Sequence, residues 1–290
     1  MDLPFLTTQA LNALQAGMLL FLLSSGLALI FGMLRVINFA HGAFYMLGAY
    51  AGLTGLALTG RFWLAVPLAV LAVALLGALV ERTLIRRLYG ADPLAQALLT
   101  FGLLLVLDEG VKWLWGPQIR SLPTPEIFRG AVVLFGLPYP LYRLVVVGVG
   151  GVVALTLWLF LEKSRLGAIL RAGVADPQMV AALGVNLGLL FPFTFALGAA
   201  LAAFGGVMAG PIVSAYPGMG VEVLIKAFIV VVIGGLGSLK GAAVGSLLIG
   251  VAETFGQALA PDWAMAVAYA VMAAVLLWRP AGLFGAEGAA

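Results

Sequence analysis

From Leu11 to Leu34 the sequence runs LNALQAGMLLFLLSSGLALIFGML without one charged side chain. A stretch of about 20 apolar residues is what a helix needs to cross the hydrocarbon core of a bilayer. The first such run extends over about 10–34, and others lie near 40–59, 62–81, 94–114, 141–161, 188–212, 222–239, 241–259 and 263–279. Hydrophobic residues make up 63% of the 290 and charged ones 9%, against roughly a quarter charged in a soluble domain. No water-exposed surface can be assembled from that composition. Long continuous runs of Leu, Val, Ala and Gly, in place of short alternating strands with turn signals, argue against a closed barrel. The expectation is an all-α polytopic membrane protein with 8–9 transmembrane or re-entrant helices, forming a single domain over 1–290.

Orientation follows from the basic residues, which concentrate in short loops on the cytoplasmic side. Threading the chain with its N-terminus outside places Arg35, Arg82, Arg86, Arg87, Lys163, Arg165, Arg171, Lys240 and Arg279 inside, and leaves only six basic residues elsewhere. The opening MDLPFLTTQALNALQAG lacks the basic stretch of a cleavable signal peptide, so the first span is expected to act as an uncleaved signal. The segment WGPQIRSLPTPEIFRGAVVLFGLPYP (115–140), with five prolines, is too broken to cross and reads as an external loop lying partly in the interface. The formal charge of +3 is spread among loops and gives no nucleic-acid signature. With no cysteine and one histidine, the sequence offers no disulfide and no metal site.

The most informative polar stretch is EKSRLGAILRAGVADPQMVAALGVN, Glu162 to Asn186. Asp176 before Pro177 is a helix start, because the carboxylate accepts from free backbone N–H groups and proline loses nothing at the first helical position. Gly184 ends the helix, which presents Met179, Val180 and Leu183 as an apolar face beside basic Lys163, Arg165 and Arg171. Its shape is that of a docking element, or of a loop helix resting on lipid headgroups. An internal echo accompanies it. RLYGADPLAQALLTFGLLL (87–105) and RAGVADPQMVAALGVNLGL (171–189) share Arg, the Ala-Asp-Pro triplet and later apolar residues.

Small residues recur at helical spacing at Gly198, Ala202, Gly206 and Gly210, and again at Gly237, Gly241 and Gly245, a pattern that brings helix backbones together. The glycines of KAFIVVVIGGLGSLKGAAVGSLLIGVAE (226–253) invite a broken or re-entrant helix. Ionisable residues inside a span are costly and mark function, which singles out Glu253. Glu222 with Lys226, and Asp108 with Lys112, have the i,i+4 spacing of ion pairs. Asn38 and His41 stand in an apolar segment less than two turns from Arg35.

GMLRVINFAHGAFYMLGAY (32–50), SRLGAILRAGVADPQMVAALGVN (164–186) and the 226–253 segment together resemble the permeases of branched-chain amino acid ABC importers, the shorter of the two permease subunits in particular. The resemblance implies a heteromeric importer: this chain, a second related permease subunit, two ATP-binding subunits on the cytoplasmic face and an extracytoplasmic substrate-binding protein, all at the inner membrane. It implies alternating access, no covalent chemistry and no cofactor on this chain, with ATP and Mg held by the partner subunits. Within the 162–186 loop, Arg171, Asp176, Pro177 and Gly184 match the family motif, and the helix they bound, with Met179 and Leu183, resembles the element that fits an ATPase subunit. Asn38, His41 and Gly42 match the first motif, and Gly235, Gly237, Gly241 and Glu253 the last; these line the path or fix helix contacts. Similar permeases carry amides, urea or other amino acids. A stand-alone secondary transporter or channel, with Glu253 and His41 as ion or proton sites, is the rival.

The threading makes a direct prediction. A single cysteine placed beside Arg171 reacts only with thiol reagents that reach the cytoplasm, and one at Thr124 only from outside. The cysteine-free sequence makes the labelling unambiguous, and reversed labelling overturns both the threading and the cytoplasmic loop.

Overall fold

The computed structural model describes residues 3–134 and 136–285. Nine longer helices form the bundle among them: α1 (Leu3–Leu34), α2 (His41–Thr59), α3 (Phe62–Thr83), α4 (Pro93–Trp115), α5 (Leu141–Lys163), α8 (Leu187–Val213), α9 (Met219–Gly234), α10 (Leu239–Leu259) and α11 (Ala264–Trp278). Two short helices, α6 (Arg165–Ala175) and α7 (Pro177–Ala182), lie between α5 and α8. Six helices, α1, α3, α4, α5, α8 and α10, are long and apolar enough to cross a membrane by themselves. The other three explain why the count from sequence was higher. α9 and α11, with 16 and 15 residues, extend about 24 and 22 Å against a hydrocarbon core of about 30 Å. α2 dilutes its apolar run with His41, two tyrosines and several glycines.

α1 is the axis of the bundle. From Leu19 onward nearly all of its side chains are buried, and it packs against α5, α8, α9 and α10. α8 joins this group to a second one, made by α2 and α3. The outer helices show the opposite pattern: Leu64, Leu68, Leu71, Leu75 and Leu79 of α3, and Leu94, Leu98, Phe101 and Leu105 of α4, form exposed stripes at helical spacing. Such stripes suit lipid. Exposed tryptophans stand near both ends of the bundle, Trp63, Trp113 and Trp263 at one and Trp158 and Trp278 at the other, as in the aromatic belts of membrane interfaces.

The small-residue stripe on α8 is where the helices meet. A Cβ added to Gly206 would overlap the Tyr45 carbonyl oxygen of α2, and one on Gly198 would collide with Ile30 of α1. The backbones are therefore close enough that only hydrogen fits between them. The glycine-rich segment is broken, one of the two forms its sequence invites. α9 stops at Gly234, and Gly235 (φ 97°) and Gly237 (φ 81°) take left-handed conformations that turn the chain. Ser238 then starts α10 by accepting from the Gly241 N–H at 3.0 Å. The glycines punctuate a helical hairpin, because left-handed backbone is unstrained only without a side chain.

The proline-rich segment 115–140 carries structure that its sequence concealed. Ala131–Leu134 (β1) pairs antiparallel with Leu137–Pro140 (β2). Arg120 exchanges both backbone hydrogen bonds with Ala215, at 2.8 and 2.7 Å, which ties the segment to the end of α8. The two Ala-Asp-Pro triplets share a local device but lead to different elements. Asp92 caps the long α4, its carboxylate 2.7 Å from the Leu94 N–H, whereas Asp176 caps the six-residue α7.

Gly206→Ala is expected to destabilise the bundle by about 1–3 kcal/mol through overpacking. Gly102→Ala, at an open position of α4, is expected to leave stability unchanged or raise it slightly. Thermal unfolding of the two variants in detergent checks the contrast.

Candidate functional site

At the end of the bundle where α5 finishes and α8 begins, α6 and α7 form a compact shelf. Ser164 starts α6 by accepting from the Gly167 N–H at 2.9 Å. Asp176 starts α7, its Oδ1 accepting from the N–H groups of Gln178 (2.9 Å) and Met179 (3.0 Å), with Pro177 in the first position. Gly184, at φ 87°, ends the turn, and Asn186 caps α8 through the Gly188 N–H. The shelf is held to the axis of the bundle: Gly173 presses on the side chain of Met33, near the end of α1. Arg171 lies 3.7 Å from Glu162, with both side chains partly open to solvent.

The expected apolar face of α7 divides. Val180 is 4% exposed and packs inward, while Met179 is 59% and Leu183 77% exposed. Successive residues of a helix point about 100° apart, so Val180 can face the bundle while Met179 beside it faces out. The inward one anchors the helix and the other two remain open. With Leu166 of α6, also exposed, they give the shelf an apolar outer surface.

Asn38 sits in the turn between α1 and α2 and His41 begins α2, both fully buried. The Nε2 of His41 lies 2.9 Å from the Leu23 carbonyl oxygen of α1. A carbonyl only accepts, so Nε2 is the donor; Nδ1 and both polar atoms of the Asn38 side chain have no partner among the described residues. Gly42 packs against the Gly220 carbonyl at the start of α9. The first motif therefore gathers α1, α2 and α9 at one crossing.

The last motif is not brought together. Gly235, Gly237 and Gly241 lie at the α9–α10 turn, where the N–H groups of Leu283 and Phe284 reach back to the carbonyls of Ile233 (2.8 Å) and Gly234 (3.0 Å). Glu253 is three turns further along α10, about 18 Å from Gly241. It pairs with Lys226 of α9, which also reaches Glu222 at 3.7 Å. The i,i+4 spacing announced the Lys226–Glu222 contact; the contact with Glu253, 27 positions away, leaves no mark in a linear pattern. Asp108 and Lys112 pair at 3.0 Å, and Asp108 also accepts from the Gly218 N–H at 2.5 Å.

Two further polar clusters escaped the sequence reading. Glu81, buried near the end of α3, accepts a hydrogen bond from Tyr89; burial, and then the carboxylate, push the Tyr89 phenol far above its ordinary pKa. At the opposite end of the bundle, Asn12 of α1 accepts from Arg143 (2.7 Å) and Tyr139 (3.0 Å). Asn12 and Arg143 line a polar cavity with Gln15 and Thr254. The polar spacing of TTQALNALQ in the first turns of α1 was the available signal.

The sequence profile of the family described as "Branched-chain amino acid transport system / permease component" matches residues 9–276. The high-affinity branched-chain amino acid transport system permease protein BraD of Pseudomonas aeruginosa is 34% identical, over 96% of this chain and 95% of its own length. LivH of Escherichia coli strain K12, with the same description, is 30% identical over 96% and 94%. LivM of the same strain is 26% identical over 97% of this chain and 71% of its own. Among solved structures, a chain of PsaBC from Streptococcus pneumoniae in complex with Fab superposes with a TM-score of 0.47 at 15% identity, over 92% of this chain and 89% of that one. The profile match over nearly the whole sequence, and two relatives at 30% identity or more across it, place this multi-pass chain of the cytoplasmic membrane in the permease family of branched-chain amino acid transport systems.

Proposed function

We propose that this chain is one permease subunit of an ATP-driven importer that moves branched-chain amino acids inward by alternating access. Its complex would contain a second, related permease, two ATP-binding subunits that carry the nucleotide and Mg, and an external substrate-binding protein. The printed functions of BraD and LivH support the substrate class, and the partial likeness to LivM fits a related second permease. The observation that carries the coupling is the α6–α7 shelf: capped at Ser164 and Asp176, anchored by Val180, and open at Met179 and Leu183.

The mechanism asks little of the chain chemically. Nucleotide-bound and nucleotide-free ATPase subunits contact the shelf differently, and that difference in binding free energy biases the bundle between outward-open and inward-open states. Since α6 bears on the end of α1 through Gly173 and Met33, a displacement of the shelf acts on the helix around which the others pack. The stand-alone reading loses support at both of its ion or proton sites: His41 donates to a backbone carbonyl in a fully buried crossing, and Glu253 is already paired with Lys226.

Leu183 is open in the isolated chain, so Leu183→Asp leaves folding and capture of the loaded external protein unchanged, yet places an unpaired charge against the ATPase subunit. Substrate-stimulated ATP hydrolysis and uptake by the reconstituted complex are expected to fall together by about tenfold or more. Asp176→Ala removes the cap of α7, at about 0.5–2 kcal/mol, and is expected to give an intermediate loss. Parent-like coupling in Leu183→Asp refutes the transmission role of the shelf.

A further inference from the structure

A cavity of about 370 Å³ opens between α9, α10 and α11, within the size range of about 300–1,000 Å³ found for small-molecule sites. It lies towards the end of the bundle where α9 begins and α10 finishes, with Glu222 in the first turn of α9. In the threading above, this is the half nearest the external face. Its walls have two characters. Glu222, Lys226 and Glu253 supply charge, and Ile225, Ile229 and Ile249, which share their helix faces, supply branched aliphatic surface, Ile229 and Ile249 about one turn further from the external end than Lys226 and Glu253.

The charged groups are unevenly matched. Lys226 is shared between two carboxylates, pairing with Glu253 across the helices and standing 3.7 Å from Glu222 along its own. Tyr216 fixes the second carboxylate, its hydroxyl donating to Glu222 Oε2 at 2.6 Å. One ammonium therefore serves two carboxylates. None of the three is sealed away: the side chains of Lys226 and Glu253 are 32% and 19% exposed. An ion pair kept only to join α9 to α10 would be served as well by packed apolar residues, and ionisable groups inside a helix bundle are costly to retain.

We propose that this cavity binds a free aliphatic α-amino acid as its zwitterion. The ligand's ammonium takes the place of Lys226 at Glu253, its carboxylate accepts from the Lys226 ammonium, which stays beside Glu222, and its side chain lies against the three isoleucines. Every charge then has an opposite neighbour, and no proton changes hands. The assignment deepens the import reading and rests on it for the direction in which the ligand travels: the site would be a station on the external side of the path. Acidic and basic amino acids are disfavoured, because their side-chain charge would be buried against the aliphatic wall.

The test uses the full-length chain with its co-purifying subunits in phosphatidylcholine vesicles, without external binding protein, and measures equilibrium binding of radiolabelled leucine. Competitors are 4-methylpentanoate, which lacks the ammonium, and 3-methylbutylamine, which lacks the carboxylate. Saturable leucine binding is expected, with each truncated competitor about tenfold weaker or worse. Lys226→Gln is expected to weaken leucine about tenfold while sparing 3-methylbutylamine, and Glu253→Gln to weaken leucine while sparing 4-methylpentanoate. A bridge with only a structural role moves all three ligands alike, and that outcome overturns the proposal. So does displacement of leucine by added phosphatidylethanolamine without discrimination among the free ligands, which assigns the cavity to a lipid headgroup. The competitor series on the parent decides the matter even where a variant fails to fold. If the parent imports leucine once loaded external protein is added but shows no binding here, the cavity proposal falls and the import reading stands. If it binds leucine with the expected pattern but never imports it, the import reading falls.

Discussion

Close approach of helix backbones is the constraint on which the rest of this fold depends. In lipid there is no hydrophobic drive to press one apolar helix against another, so association rests on dispersion contacts that act only at short range. Gly206 against Tyr45, Gly198 against Ile30 and Gly42 against Gly220 supply those contacts where α1, α2, α8 and α9 cross. A helix bound on several sides in this way has little freedom to move alone. α1 thus behaves as a shared wall, and whatever displaces it is felt by α5, α8, α9 and α10 together.

The polar groups of the bundle divide according to what they face. His41 donates to a carbonyl of the neighbouring helix and Glu81 accepts from a tyrosine hydroxyl eight residues on, each buried among packed helices. Glu222, Lys226 and Glu253 meet at a cavity instead, and Asn12 and Arg143 meet at another close to the same end. Groups of the first kind hold helices in register. Those of the second kind are placed where an incoming solute could exchange partners with them, which is a condition for passage: a site must bind and also let go.

The sequence was legible where structure is local. A span must be a contiguous apolar run because the bilayer offers no partner for open backbone groups, so the helices fall close to the runs read from the sequence. Asp176 with Pro177 and Gly184 act within a few residues of themselves, and α7 starts and stops where they stand. What depends on two distant segments was not legible. Glu253 looked like a lone intramembrane acid because its cation belongs to another helix, and the hydrogen bond of His41 ends on a backbone carbonyl that no side-chain pattern could announce. The pairing of β1 with β2 was hidden by prolines, which occupy a β2 too short to show alternation.

The return of Leu283 and Phe284 to Ile233 and Gly234 has a temporal meaning. The last carbonyls of a helix have no partners of their own, and for α9 two of them are capped by residues that leave the ribosome only after α10 and α11. The α9–α10 turn therefore gains these two hydrogen bonds only after α10 and α11 have been synthesised. The end of α9 is thus complete only on a chain that has been read past Phe284.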